Sequence, residues 1–210
     1  MLPAPTQLIE CPTCKSLMKK PGWLSGNTFG AKIYSDGKQV AEMLPNFPQI
    51  TKCKKCNNIF WVKDAKVIGE FEWGNKTSQE WEAAPELEFL SIEDFHSALN
   101  SDLTIDKNHE LYFRKNIWWS FNDRQRNDLP FFSNDEERQQ WFENLKKLCE
   151  LLDENNTEQQ IMKAEVYRNL GRFDDCKIIV NSISIPELEW IKEKYIKACD
   201  EQNQNVIQLN

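Results

Sequence analysis

The chain has 210 residues, 40% hydrophobic and 28% charged, and a formal net charge of −7. That balance suits a soluble protein of one or two domains, and no stretch nears the roughly 18 consecutive apolar residues that a membrane span needs. The opening MLPAPTQLIE lacks the basic start and apolar core of an export signal, so a reducing cytoplasmic setting is expected.

Charge is distributed unevenly. Residues 1–66 hold ten lysines and four acids, a net of +6, whereas the remainder carries 16 basic and 29 acidic residues, a net of −13. Opposite signs in successive regions predict two domains.

Along the chain, the first element with evident chemistry is CPTCK, with Cys11 and Cys14, and its counterpart is CKKCNN, with Cys53 and Cys56. Two residues between thiols let a tight turn aim both sulfurs at one point. Two such turns facing each other supply the tetrahedral four-thiolate shell that zinc accepts at about 2.3 Å. The residue after the second Cys of such a turn often takes positive φ, which Asn57 tolerates and Lys15 tolerates less well. The 38 residues between Cys14 and Cys53 exceed the roughly 15–20 of a compact ribbon. Doubling a loop costs only about 0.6 kcal/mol, whereas structural zinc returns on the order of 10–16 kcal/mol in small peptides, so the length does not forbid the site. Within the insert, NTFGAKIYSDGKQVAEML predicts two extended runs around an Asp36-Gly37 turn. After the second pair, NIFWVKDAKVIGEF predicts another strand region.

Rival readings of the Cys pairs can be weighed. A redox dithiol opens a helix, but Pro21-Gly22 interrupts the segment after CKSLMKK. Disulfides suit an oxidising compartment. Iron fits the same four-sulfur geometry as zinc. The reading taken is one structural Zn2+ held by Cys11, Cys14, Cys53 and Cys56, because four protein ligands leave no position for a catalytic water. Lys52, Lys54 and Lys55 would offset the thiolate charge. The remaining lysine excess, with Trp23, Phe29 and Tyr34, offers an alternative nucleic-acid surface, although core filling explains these aromatics equally well.

Residues 70–89, with six Glu and one Lys, read as an acidic connector. Trp73 and Trp81 predict that it lies against a domain, and Pro85 argues against one long helix. Beyond it helices are expected: one capped by Ser91, one with a Ser133/Glu136 box, one with a Thr157/Gln160 box stopped by Gly171, then FDDCKIIVNSI, and one from Pro186 burying Tyr195 and Ala198. NHELYFRKNIWWSFND adds a further helix. Its Phe113, Ile117, Trp118, Trp119 and Phe121 make it apolar over most of its surface, which predicts burial between layers. The alternative is a groove in which Arg114, Trp118, Trp119 and Arg126 receive a partner peptide. His96 and His109 read as helix-surface or satisfied core residues, and Cys149, Cys176 and Cys199 as small core residues. No nucleophile with its base and no phosphate loop stands out, so no catalytic residue is assigned.

AEVYRNLGRFDDCKIIVNSI resembles one tetratricopeptide (TPR) unit, with Ala164, Tyr167, Gly171, Phe173 and Cys176 at its small, Tyr, Gly, aromatic and small positions. The wider set CPTCK, SGNTFGAKIYSDG, CKKCNNIFW, WWSFND and LGRFDDC resembles a group of uncharacterised bacterial proteins. These join an N-terminal rubredoxin-like or zinc-ribbon module to a TPR-like helical domain. That resemblance implies an α+β chain with a zinc-ribbon-like β domain at 1–69, the connector at 70–89 and a TPR-like helical-hairpin domain at 90–210. It implies no reaction. The function expected is a zinc-binding scaffold whose partners are proteins or peptides, with nucleic-acid binding or a rubredoxin-like redox role as the alternatives.

Overall fold

The computed structural model describes residues 1–72, 74, 75 and 77–210. Its strands are β1 (Leu2–Pro3), β2 (Thr6–Glu10), β3 (Leu17–Lys20), β4 (Trp23–Ser25), β5 (Lys32–Ile33), β6 (Gln39–Val40), β7 (Ile50–Lys52), β8 (Ile59–Trp61) and β9 (Lys66–Phe71). The helices are α1 (Gln79–Ala83), α2 (Ile92–Leu99), α3 (Lys107–Arg126), α4 (Asp135–Leu151), α5 (Thr157–Asn169), α6 (Phe173–Ser182) and α7 (Glu189–Asp200). The fold is mixed, with small antiparallel sheets toward the N-terminus and helices after them. Two units form, and they are not the contiguous segments expected from the chain. A strand unit takes residues 1–31 and 40–103, and a helical unit takes residues 32–39 and 104–210.

In the strand unit, β2 is the centre of an antiparallel sheet in the order β3-β2-β9. The register sets Ile9 opposite both Met18 and Val67. Ile9 of β2 and Met18 of β3 are buried against Phe60 and Val62, so the apolar residues collect around the cysteines. β7 and β8 make a second hairpin with Lys52 opposite Ile59. β1 pairs with β4 at the other end of the same stretch.

The acidic connector belongs to this unit. Ser78 caps α1 by accepting from the Trp81 amide at 3.3 Å. The helix ends at Ala83, two residues before Pro85, as its ring requires. Trp81 lies over Gly69 of β9, where a Cβ would come within 2.5 Å of the indole, and beside Phe71 at 6.2 Å between ring centres. Trp73, named with it from the sequence, lies outside the described residues. The chain is then pinned by Lys19 N–H to Pro85 O at 2.8 Å and Leu87 N–H to Lys19 O at 3.0 Å. Ser91 caps α2 through the Asp94 amide, and Ile92, Phe95 and Ala98 are buried.

In the helical unit, α3 to α7 pack as successive neighbours. Phe113, Ile117, Trp118 and Phe121 of α3 are fully buried, with Trp141, Leu145 and Leu148 of α4. Phe121 meets the Trp141 ring edge-on at 5.4 Å. Gly171, at φ 74°, ends α5 and turns the chain into α6. Two caps fall one residue from where the sequence pattern put them. Asn134, not Ser133, caps α4 by accepting from Glu137 N at 2.9 Å, while the Glu137 carboxylate reaches back to Ser133 N at 2.6 Å. Asn156, not Thr157, caps α5 through Gln159 N at 3.0 Å. Asn competes with Ser and Thr on equal or better terms at this position, so adjacent candidates blur the boundary.

β5 and β6 flank the expected Asp36-Gly37 turn, with Gly37 at φ 75° donating its amide to Tyr34 O at 2.9 Å. The turn is lodged in the helical unit. Ser35 and Asp36 are 1% and 0% exposed. Ser35 Oγ donates to Glu165 Oε1 at 2.6 Å and accepts the Ile207 amide at 3.0 Å, and Tyr195 Oη donates to Ser35 O at 2.5 Å. Asp36 accepts from Asn122 Nδ2 at 2.8 Å and pairs with Arg126, while Trp119 Nε1 donates to Asp36 O at 2.9 Å. Beneath the turn, Arg168 donates through Nε to Glu165 Oε2 at 2.9 Å. Burial pushes Glu165 above the usual carboxylate range, with Arg168 opposing it. Residues 207–210 run beside β5, with Leu209 N–H on Ile33 O at 2.7 Å and Ile33 N–H on Asn210 Oδ1 at 2.8 Å.

Candidate metal centre

Both Cys-x-x-Cys turns fold the same way. In the first, Lys15 N–H donates to Cys11 O at 3.0 Å and Cys11 N–H to Ser16 O at 2.9 Å. In the second, Asn57 N–H donates to Cys53 O at 2.8 Å and Cys53 N–H to Asn58 O at 2.9 Å. Each is closed by a left-handed residue, Lys15 at φ 62° and Asn57 at φ 59°. Lysine rarely takes that conformation. Its presence there means the turn dictates the backbone and the side chain complies.

The turns sit at the tips of the β2-β3 and β7-β8 hairpins and face each other. The four sulfurs lie within 4.8 Å of one another, with Cys11 to Cys56 at 3.7 Å and Cys14 to Cys53 at 3.6 Å. Tetrahedral bonds of about 2.3 Å separate sulfurs by about 3.8 Å, so the crossed pairs stand at the spacing an ion needs. Cys11 and Cys53 are fully buried, and Cys14 and Cys56 are half-buried.

Ser16 supplies support that the spacing alone does not reveal. Its hydroxyl is 3.1 Å from both Cys14 Sγ and Cys53 Sγ, one from each turn. The Ser16 hydroxyl, then its amide, hold Cys14 down to about 6. At Cys53 burial pushes upward, but the Ser16 hydroxyl and the amides of Cys56 and Lys55 together bring it below the ordinary thiol value. At Cys56 the Asn58 amide pulls downward, yet burial and the three neighbouring thiols outweigh it and the group is pushed up to about 12. Four like groups this close cannot all ionise without a cation among them. The donor set is soft, tetrahedral and closed, which fits zinc and also iron.

No protein-family model, curated protein or solved structure matches this chain. The site must therefore be read from its own geometry.

Two of the three lysines expected to offset the thiolates are engaged elsewhere: Lys52 pairs with Asp94 at 2.9 Å and Lys54 with Glu88 at 2.5 Å. With the connector and α2 included and residues 32–39 excluded, the strand unit has nine lysines against twelve acids. Its net charge is −3, so the excess of +6 read over residues 1–66 belongs to no folded unit. The three aromatics singled out with those lysines are scattered: Trp23 stacks near Phe47 at 5.5 Å, Tyr34 lies under Arg126 at 4.4 Å in the helical unit, and Phe29 is 91% exposed.

Of the four residues proposed for a peptide groove, Trp119 and Arg126 meet at Asp36, while Trp118 and Arg114 have other partners. Trp118 is in the core and donates to Asn169 Oδ1 at 2.8 Å, and Arg114 pairs with Glu110 at 2.7 Å. Trp119 and Arg126 hold the chain's own 34–38 turn. Glu165, Arg168 and Tyr195 complete that grip; the sequence marked Tyr195 as a buried helix residue but not as a partner of the turn, and Glu165 and Arg168 only as a Glu and an Arg three apart on one helix. Their bonds to Ser35 span 130 or more positions.

Proposed function

We propose that this protein is a zinc-stabilised scaffold: a structural ion held by four cysteines organises the strand unit, and the helical unit serves as a binding surface for proteins or peptides. The observation that carries the reading is the closed four-sulfur shell wrapped by Ile9, Met18, Phe60 and Val62. Four thiolates saturate tetrahedral zinc and leave no coordination position for substrate or an activated water. So small a core also gains stability from an ion that ties two hairpins together. In the helical unit, Ala164 and Cys176 are buried where α5 and α6 nest, in keeping with a TPR-like pair. The resemblance to zinc-ribbon/TPR-like bacterial proteins supports the same reading.

The nucleic-acid alternative is weakened by the strand unit's net −3 and by the pairing of Lys52 and Lys54 with acids. A rubredoxin-like iron site shares the donor set. Elemental analysis of the full chain decides among these: about one zinc per chain is expected, released by a strong chelator with loss of strand structure. A cobalt-substituted protein should show the absorption of tetrahedral thiolate ligation. Reversibly reducible iron at stoichiometry, or no bound metal, would overturn the proposal. Binding to single- or double-stranded nucleic acid that weakens steeply with salt would restore the alternative.

A further inference from the structure

The two Cys-x-x-Cys turns match in backbone but not in what lies beside their sulfurs. Ser16 O accepts the Cys11 amide and Asn58 O accepts the Cys53 amide, so Asn58 holds in the second turn the place that Ser16 holds in the first. Ser16 adds a hydroxyl, 3.1 Å from Cys14 Sγ and 3.1 Å from Cys53 Sγ. Among the described residues no hydroxyl or amide side chain reaches Cys11 or Cys56, whose sulfurs meet each other at 3.7 Å. One hydroxyl therefore splits the shell into a supported pair, Cys14 with Cys53, and an unsupported pair, Cys11 with Cys56.

Exposure splits it the other way. Cys11 and Cys53 are fully buried, whereas Cys14 and Cys56 are half-buried. Of the two sulfurs that a reagent in solution can reach, Cys14 has the hydroxyl and Cys56 does not. A thiolate held by a cation has no proton to give, so in the loaded site Ser16 is the donor, and its single proton swings between Cys14 and Cys53 about the Cβ–Oγ bond. A hydrogen bond to a thiolate stabilises the lone pair that would otherwise attack, which makes the bonded sulfur the weaker nucleophile.

We propose, resting on the reading of a zinc-held strand unit, that Cys56 is the modification site of the metal centre, open to carbon electrophiles that carry a leaving group, and that Ser16 is the positioning residue that guards Cys14 and Cys53. The Cys56 thiolate attacks the electrophilic carbon: an S–C bond forms, and the leaving group departs with the electron pair of the bond it breaks. The product is a neutral thioether, stripped of the charge that binds a cation, so the shell opens at that corner. Cys14 and Cys53, one from each turn, keep the two hairpins joined after Cys56 has reacted.

The test uses full-length protein loaded with zinc, its content checked by elemental analysis. Iodoacetamide is added below stoichiometry, labelled cysteines are located by peptide mapping, and free zinc is followed with a chromogenic chelator. Among the four ligands, Cys56 should be labelled first, in step with zinc release and departure of iodide. In Ser16→Ala, label on Cys14 should rise several-fold toward that on Cys56, and zinc affinity should fall about tenfold, the lower end for loss of a contact to a ligand. The sulfur-to-cobalt charge-transfer band of the cobalt-loaded variant should move to longer wavelength. Ser16→Thr, which keeps a hydroxyl, should restore the parent pattern. Label on Cys14 ahead of Cys56 in the parent, or an unchanged pattern in a Ser16→Ala protein that still binds zinc, would overturn this proposal and leave the structural ion standing. Absence of bound zinc would overturn both.

Discussion

Replacing Asp36 with Asn probes what holds the SDG turn in the helical unit. Asp36 is fully buried, accepts from Asn122 at 2.8 Å and pairs with Arg126, whose side chain is 6% exposed. The amide keeps the size and one acceptor, so the loss is almost wholly electrostatic. Breaking a buried ion pair from one side costs about 3–5 kcal/mol. Arg126 keeps a second partner in Asp123 at 2.7 Å, itself about one-third exposed, which lowers the expected loss to about 2–4 kcal/mol. Urea unfolding followed by far-UV dichroism, with zinc held constant, should shift its midpoint down by about 1 M. Arg126→Met should cost a similar amount. The double variant should fall well short of the sum, because the second change removes a charge that the first left stranded. A midpoint shift below about 0.2 M for Asp36→Asn, or strict additivity, would refute the assignment of this pair as the anchor of the turn.

Three further outcomes follow from other contacts. Gly69→Ala drives a methyl into the Trp81 ring, so Trp81 fluorescence environment should change and the strand unit should lose about 1–2 kcal/mol. Arg124, with the Ser133 amide assisting, holds Glu137 down to about 2 against 4.5 unfolded. Because the unfolded chain binds the proton more tightly, this stabilisation is complete above about pH 4.5 and fades as pH falls toward 2. Glu137→Gln should flatten that part of the stability profile and cost about 2 kcal/mol at neutral pH. Removing residues 206–210 strips the pairing beside β5 and the Ile207 amide from Ser35. Thermal unfolding should then drop by several degrees, and an unchanged transition would show that this pairing is incidental.

What could be read from the chain was local. Two Cys-x-x-Cys turns, the Asp36-Gly37 hairpin, the Ser91 cap, the Gly171 stop and the buried face of α3 all depend on residues within a few positions of each other, where spacing carries geometry. Cap positions at α4 and α5 slipped by one residue because Ser133-Asn134 and Asn156-Thr157 each offer two competent caps in succession. The units were not legible for a different reason. Residues 32–39 are covalently part of the stretch between the Cys pairs, but their burial is decided by Glu165, Arg168, Tyr195 and Ile207. No periodicity or motif announces a polar partner 130 positions distant. The same long reach undoes the apparent +6 of the first third, since the acids that answer Lys52 and Lys54 come from Asp94 and Glu88. Ser16 could have been suspected from its place two after Cys14, matched by Asn58 after Cys56. Its reach to the other turn could not.

The placement of the SDG turn has a consequence for synthesis. Ile33 is bonded to Asn210, 177 positions later. At roughly 5–20 residues per second a ribosome needs about ten to thirty seconds to supply that partner. Trp119, Asn122 and Arg126 reach the turn about half-way through this interval and Glu165 later, and contacts of such long range are slow to find. The helices can wind as they emerge, yet the cradle that receives Ser35 is finished only once residues 207–210 have been made.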